Sequence, residues 1–322
     1  MKPIRRVLVI KLSALGDFVL AIPAFERIRA AHADAQITLL TTPPFEALAR
    51  PSPFFDRVET DGRPKGLGGW SSLIGRLRSS RYDRVYDLQN SGRTGLYFQA
   101  LRPFAPSWSG TAIGCSLPHR NRARMKMHAL ERQAQQLEMA GIWPDAPTSP
   151  LSGPAPDISW ILRKSAESSH PLATAARPTV LLVPGSAAHR PEKRWPIEHY
   201  AALAEGLQGR GFDVIVIGAP QESELAKEIL RRAPRALDLT GRTDFAEVAA
   251  LGARAAMAVG NDTGPMHLIT ASGAPAIVLF SSASDPALSA PRGEVSVLSA
   301  PDLKDVSVRA VLNAALKLAR PI

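Results

Sequence analysis

Short apolar runs of strand length constrain this chain more than any other feature. Val7 to Ile10, Val214 to Ile217 and Ala276 to Phe280 carry no polar face. A strand that is apolar on both faces has to be covered on both, the condition of a parallel sheet clothed by helices. Each run gives way to a turn rich in small or polar residues. Helical spacing follows, as in Phe18, Ala21, Ile22, Phe25 and Ile28 after the first run. Alternation of this kind in both halves predicts an α/β protein with two Rossmann-like, doubly wound domains whose strand ends face a central cleft.

The 322 residues fit two domains. Pro, Ser and Gly concentrate between Pro144 and Ala155, and a weaker loop spans Thr174 to Pro178. The expected division is a first domain over 1–155, a linker over 156–178 and a second domain over 179–303. A terminal helix over 304–322 is long enough to reach back to the first domain. The spacing predicts helices over Phe18–Ala31, Trp70–Ser80, Leu96–Leu101 and His128–Gly141 in the first half. In the second half it predicts them over Ile197–Gln208, Gln221–Arg232, Asp244–Arg254 and Asp305–Ala319.

The polar residues that stand out follow these strand-like runs: Ser13, Gly16, Asp17, Gln89, Asn90, Ser186, Lys193, Glu222, Asp262 and Thr263. In a parallel sheet all carboxyl ends point the same way, so residues far apart in sequence are expected to converge on one ligand site. The sharpest stretch is Ala256 to Leu268, where an apolar run breaks at Gly260 and passes through Asn261-Asp262-Thr263-Gly264-Pro265 into a helical pattern. Pro265 suits a first helical turn, and Asp262 and Thr263 are natural N-caps. The N–H groups of Thr263, Gly264 and Met266 are expected to face outward and attract an anion, phosphate above all. Asp262 could hold sugar hydroxyls. Lys193 and Arg194 could neutralise a diphosphate, and Glu222 could accept from a ribose diol. Asp17 reads either as a helix cap or as a general base. His267 reads as a structural or orienting group at the helix start.

Other classes lack their signatures. There is no G-x-G-x-x-G, no Walker loop, no G-x-S-x-G and no His/Asp/Glu spacing of a zinc site. Cys115 is alone, which excludes an intrachain disulfide and fits a reducing cytoplasm. Arg5 and Arg6 precede an apolar run too short for a secretory leader. The formal net charge of +10 points to polyanionic partners. The most basic segment, His119 to His128 with Arg120 at its start, reads as a solvated loop or as a grip on a phosphorylated or membrane-bound acceptor. It has no aromatic residue on which bases could stack, so nucleic acid is not the expected partner.

Four stretches together resemble one family. They are Lys11-Leu12-Ser13-Ala14-Leu15-Gly16-Asp17 with Ile22-Pro23-Ala24, Lys193-Arg194-Trp195-Pro196, Gly218-Ala219-Pro220 with Glu222, and Gly260 to Leu268. In this order they resemble the ADP-heptose:lipopolysaccharide heptosyltransferases, glycosyltransferase family nine, over roughly residues 5–320; His128 to Arg132 adds to the likeness. The resemblance implies a GT-B fold with the acceptor domain first. It also implies an inverting, metal-independent transfer of a sugar from a nucleotide diphosphate to a lipopolysaccharide core. No cofactor is implied; the nucleotide sugar, ADP-heptose, is a substrate.

By matching position, Asp17 corresponds to the catalytic base. Lys193, Glu222, Asp262, Thr263 and Gly264 correspond to donor-binding residues, and Ser186 to a phosphate-contacting hydroxyl. Ser13, Gly16, Gln89, Arg120 and His267 are the candidates for acceptor contact or orientation. A phosphorylated glycolipid acceptor, a cytoplasmic location and peripheral contact with the inner membrane follow as expectations. Two departures stand out. Phe280-Ser281-Ser282-Ala283-Ser284-Asp285-Pro286 replaces the usual Phe-Gly-x-Thr-Asp-Pro, and Gln89-Asn90 replaces Gln-Gly. The first bears on donor-sugar contact and the second on the acceptor, which keeps open a same-fold transferase using another nucleotide sugar or a protein acceptor. A basic binding protein without catalysis is the other alternative, and the joint presence of Asp17, Lys193, Glu222 and Asp262 speaks against it.

Overall fold

The computed structural model describes residues 3–144, 155–165 and 177–319. The chain separates into two compact units, Met1–Pro150 and Leu151–Ile322. The division falls within a stretch outside the described residues.

The first unit holds six parallel strands: β1 (Arg6–Ile10), β2 (Gln36–Leu40), β3 (Arg57–Glu59), β4 (Arg84–Asp87), β5 (Ser107–Gly110) and β6 (Leu117–Pro118). Their order is β3-β2-β1-β4-β5-β6. The second unit holds β7 (Thr179–Val183), β8 (Asp213–Val216), β9 (Leu237–Asp238), β10 (Met257–Asn261), β11 (Ala276–Phe280) and β12 (Val295–Ser299), in the order β12-β11-β10-β7-β8-β9. Read from the other edge, the second order is that of the first, the doubly wound arrangement. This is the two-domain architecture of the GT-B class. The strand order reverses direction between β1 and β4, and again between β7 and β10. Ligands in such sheets bind beyond the carboxyl ends at that switch point.

The apolar runs fill the cores as their patterning requires. Leu8, Ile10, Val85, Tyr97, Phe98 and Trp108 pack together in the first unit. Val180, Leu182, Val214, Val216, Val259 and Leu279 pack with Tyr200 and Trp195 in the second. Each such side chain contributes roughly 1.5–3 kcal/mol by leaving water. β5, β6, β9 and β12 are not foreseen by the apolar runs. They are short or, in Val295-Ser296-Val297-Leu298-Ser299, alternate as an edge strand does.

Two expectations are corrected. The helix expected over Phe18–Ala31 is two helices, Leu15–Val19 and Ile22–Ala31. Pro23 sits in the first turn of the second helix, where its missing N–H is harmless, and sets the boundary that periodicity runs across. The expected linker contains a helix, Ser159–Ser165, preceded by buried Ile158 and carrying buried Trp160 and Ile161. It packs on the helix Phe245–Arg254 and belongs to the second unit. The rest of the expected linker, 166–176, lies outside the described residues. The terminal helix, Val308–Leu318, lies against the helix Ile197–Gln208 and buries Val311 and Ala315 in the second unit's core. Those two apolar side chains, four residues apart on one face, decide where it packs.

Candidate functional site

In the second unit the switch-point strands β7 and β10 are neighbours, with Val183 level with Gly260. A side chain on Gly260 would begin 2.5 Å from Met266 Sδ and 2.9 Å from Val183 Cβ, so the close approach of strand and helix requires glycine there. The next residue, Asn261, is fully buried and uses both ends of its amide. Its Oδ1 accepts from the Trp195 N–H at 3.0 Å and the Tyr200 hydroxyl at 3.1 Å. Its Nδ2 donates to the Pro184 carbonyl at 2.8 Å and the Gly185 carbonyl at 3.3 Å. Asn261 thereby ties the loop after β7 to the end of β10. Sequence reasoning gave it no role, although a polar residue ending a buried apolar strand is itself a signal.

Beyond Asn261, Asp262 Oδ2 lies 2.5 Å from Lys193 Nζ, with side-chain exposures of 8% and 18%. A pair this withdrawn from water is held by the loop, since Lys193 ends a 3₁₀ turn, Pro191–Lys193, that the buried Trp195 anchors. Thr263 occupies the N-cap position of the helix Gly264–Ala271 in extended conformation, and its side chain does not cap. The Met266 N–H, expected to face outward, instead bonds the Thr263 carbonyl at 3.1 Å. His267 is buried.

Glu222 closes the 3₁₀ turn Pro220–Glu222 after β8, and its Oε2 accepts from the Ala219 N–H at 2.7 Å. The carboxylate lies over Gly185. A Cβ there would fall 1.7 Å from Oε1, and one on Gly218 would fall 2.7 Å from Oε2. Two glycines on adjacent strand ends therefore make the space that Glu222 occupies. Ser186 is buried, and its hydroxyl is engaged within the loop. It donates to the Arg190 carbonyl at 3.1 Å and accepts from Arg194 Nε at 3.1 Å. Arg194 also donates to the Ser186 carbonyl at 3.1 Å, so this residue pair shapes the loop that carries Lys193.

In the first unit the corresponding turns follow β1 and β4. Gln89 Oε1 accepts from the Leu12 N–H at 2.8 Å and the Ser13 N–H at 3.2 Å, lacing one turn to the other. The Ser13 hydroxyl accepts from Arg63. Asp17 is half-buried in the helix Leu15–Val19 and accepts from the Ala14 N–H at 3.3 Å; Gly16 is buried in the same helix. Asp17 thus has the contact of a helix-start carboxylate while remaining partly open.

Two buried charges beneath it went unassigned in the sequence. Lys11, 4% exposed, donates to the Leu88 carbonyl at 3.3 Å. Burial draws its ammonium below the ordinary lysine range, opposed by the nearby Asp17 and Asp87. Asp87 accepts from the Asn90 N–H at 2.9 Å and the Gln89 N–H at 3.1 Å. Burial raises its carboxyl to about 6 in spite of those bonds. Asn90 takes a left-handed φ of 50°, a conformation asparagine tolerates, and its Nδ2 donates to Gln136 Oε1 at 2.7 Å.

The basic segment is only partly a solvated loop. Arg120 is exposed. His119 is buried and bonded to Gln135 Oε1 at 2.9 Å, and burial holds its imidazole below the usual histidine value. His128 caps the helix Ala129–Met139, its Nδ1 accepting from the Leu130 N–H at 3.2 Å. The donor candidates Lys193, Glu222, Asp262, Thr263 and Gly264 thus gather at the strand ends of the second unit. Asp17, Ser13, Gly16 and Gln89 gather at those of the first.

A family model described as "Glycosyltransferase family 9 (heptosyltransferase)" matches residues 70–305. The chain is 27% identical over 308 residues to lipopolysaccharide heptosyltransferase 2 of Escherichia coli K12, covering 87% of this chain and 83% of that protein. The structure of E. coli ADP-heptose lps heptosyltransferase II superposes with a TM-score of 0.77 at 24% identity, covering 97% and 98% of the two chains. An E. coli heptosyltransferase solved with ADP superposes with a TM-score of 0.76 at 22% identity, covering 98% and 100%.

Proposed function

Because this chain belongs to glycosyltransferase family 9, we propose that it transfers a heptose from ADP-heptose to a lipopolysaccharide-core or related phosphorylated glycolipid acceptor, with inversion at the anomeric carbon. The observation that carries this reading is the Lys193–Asp262 pair at the start of the helix Gly264–Ala271, in the same unit as Glu222. A helix start and a lysine supply positive potential for a diphosphate. Two carboxylates supply acceptors for ribose and sugar hydroxyls. A purely apolar ligand has no use for such a set, whereas a nucleotide diphosphate sugar uses all of it. The similarity to lipopolysaccharide heptosyltransferases, one of them solved with ADP, supports the choice of adenine nucleotide and heptose.

In this reading Asp17 accepts the proton of an acceptor hydroxyl. The oxygen forms a bond to the anomeric carbon as the bond to the diphosphate breaks, and ADP leaves with the electron pair. Lys193 and the N–H groups at Thr263 and Gly264 stabilise the charge that develops on the departing phosphate, a contribution of a few kcal/mol per donor. Leu12 and Ser13, bonded to Gln89, hold the turn that leads to Asp17.

The test is Asp17→Asn. Turnover measured as ADP release with truncated lipopolysaccharide falls by roughly 10²–10⁴-fold, while calorimetric affinity for ADP-heptose is kept. Near-normal turnover would remove Asp17 from the role. A screen of nucleotide sugars in the same assay decides the donor; preference for a non-adenine sugar would overturn ADP-heptose. The serines at 281 and 284 make that comparison informative.

A further inference from the structure

We propose that the first unit docks on anionic lipid bilayers through a patch made by Leu96, Phe104 and Ile113 and edged by Arg78, Arg81 and Arg102. This surface is separate from the transfer chemistry and stands whether or not the donor assignment above is right.

Phe104 is 92% exposed, Ile113 86% and Leu96 59%. Single exposed apolar residues are ordinary, but these three are structurally joined. Gln99, one turn beyond Leu96 in the helix Gly92–Leu101, donates to the Ile113 carbonyl at 2.8 Å. A side chain on the next residue, Gly114, would begin 3.1 Å from Arg102 Nη1. Phe104 lies two residues past Arg102. It walls a cavity of about 390 Å³ together with Arg78, Arg81, Arg102, Leu77 and Tyr82. Arg78 donates to the Ala100 carbonyl at 2.5 Å, which fixes it beside the same helix. No carboxylate lines that cavity, and no ion pair involves these three arginines among the described residues.

The charge of the chain is concentrated in the same segment. Arg63 to Leu130 contains 12 Lys and Arg against two Asp. That excess equals the net +10 of the whole protein, so the remaining residues are balanced at 27 of each sign. Arg76 is the member neutralised by neighbours, Glu59 and Asp61. Of the two aspartates, Asp87 is buried and Asp83 accepts from the N–H groups of Arg5 and Arg6. Apolar tips surrounded by cations fit a bilayer surface. The tips enter the acyl boundary, and the guanidinium groups reach headgroup phosphates, one of which the arginine-lined cavity can hold. A second copy of the chain fits poorly, because a two-fold contact through this patch sets arginines against arginines.

The experiment is co-sedimentation of the full chain with phosphatidylcholine vesicles, with and without phosphatidylglycerol, at physiological salt. Binding is expected only to the anionic vesicles. Arg81→Gln with Arg102→Gln is expected to weaken it by roughly 25-fold, about fivefold per charge. Phe104→Ser with Ile113→Ser is expected to weaken it by at least about tenfold. Both pairs are exposed, so melting curves are expected to match the parent, and ADP-heptose affinity is expected to stay unchanged. A parent protein that binds donor normally yet ignores anionic vesicles overturns the docking surface alone. Equal binding to both kinds of vesicle also overturns it. So does loss, in the Phe104/Ile113 variant, of self-association in place of vesicle binding.

Discussion

The carboxylate of Glu222 occupies the place where a side chain on Gly185 would begin, its Oε1 only 1.7 Å from that Cβ position. The glycine after β7 and the glutamate after β8 are therefore one device, in which an absent side chain fixes a charged one. Gly185→Ala has to expel Glu222 from the turn it closes. The expected result is a loss of ADP affinity of roughly 10–100-fold, matching Glu222→Ala, since a charge-assisted hydrogen bond is worth about 1.5–3 kcal/mol. Calorimetry with ADP measures it. Undiminished affinity in Gly185→Ala would show that Glu222 does not touch the nucleotide.

The Lys193–Asp262 pair predicts asymmetric single variants. Lys193→Met leaves Asp262, 8% exposed at its side chain, facing the site without its cation. Donor affinity is expected to drop by at least about tenfold. For stability, the double variant Lys193→Met with Asp262→Asn is expected to lose less than the sum of the singles, because no charge is stranded. Additive losses in urea unfolding would refute the coupling.

Asn261 predicts a stability effect with no charge involved. Asn261→Ala leaves the Trp195 N–H and the Pro184 and Gly185 carbonyls short of a partner, and leaves the Tyr200 hydroxyl with the Val183 carbonyl at 3.4 Å. With each unsatisfied buried group costing about 1–3 kcal/mol, partly recovered by relaxation, a loss of roughly 3 kcal/mol is expected in denaturant unfolding. A loss below about 1 kcal/mol would mean that the loop is held by other contacts.

Asp87 predicts a pH dependence. Its folded carboxyl is raised to about 6 from the ordinary 3.8. Between these values the native state holds a proton that the unfolded state has released, so stability falls as pH rises from about 4 to about 6. Below 3.8 both states are protonated and the contribution is level. Above 6 both are ionised, and the full penalty, on the order of 3 kcal/mol, is in place. Asp87→Asn, which keeps an oxygen to accept from Gln89 and Asn90, is expected to flatten that slope and to be relatively more stable at neutral pH. Parallel stability–pH curves for parent and variant would contradict the raised value.

The apolar runs determined a great deal by themselves. Val7 to Ile10, Val214 to Ile217 and Ala276 to Phe280 are strands because a run apolar on both faces has few other ways to leave water. Helices such as Ile197–Gln208 were legible to the residue from spacing. The turn residues of the site were legible too, since Asp262, Lys193, Glu222 and Asp17 stand where strands end. Short β5, β6 and β9 and edge strand β12 were not, because their pairing is supplied by neighbours rather than by their own pattern.

What only the tertiary structure decided is how distant residues depend on one another. Nothing local to Asn261 says that it holds a loop 77 residues upstream, or that Gln89 secures the turn after β1 from 77 residues downstream. Nor does a single window place Lys11 near Asp87, or Phe104 in one cavity wall with Arg78, Arg81 and Arg102. Hydrophobic periodicity is written in neighbouring residues, and so a sequence specifies its elements. Hydrogen bonds, buried charge and the space beside a glycine exist only between elements, once their packing has excluded water and fixed their distances.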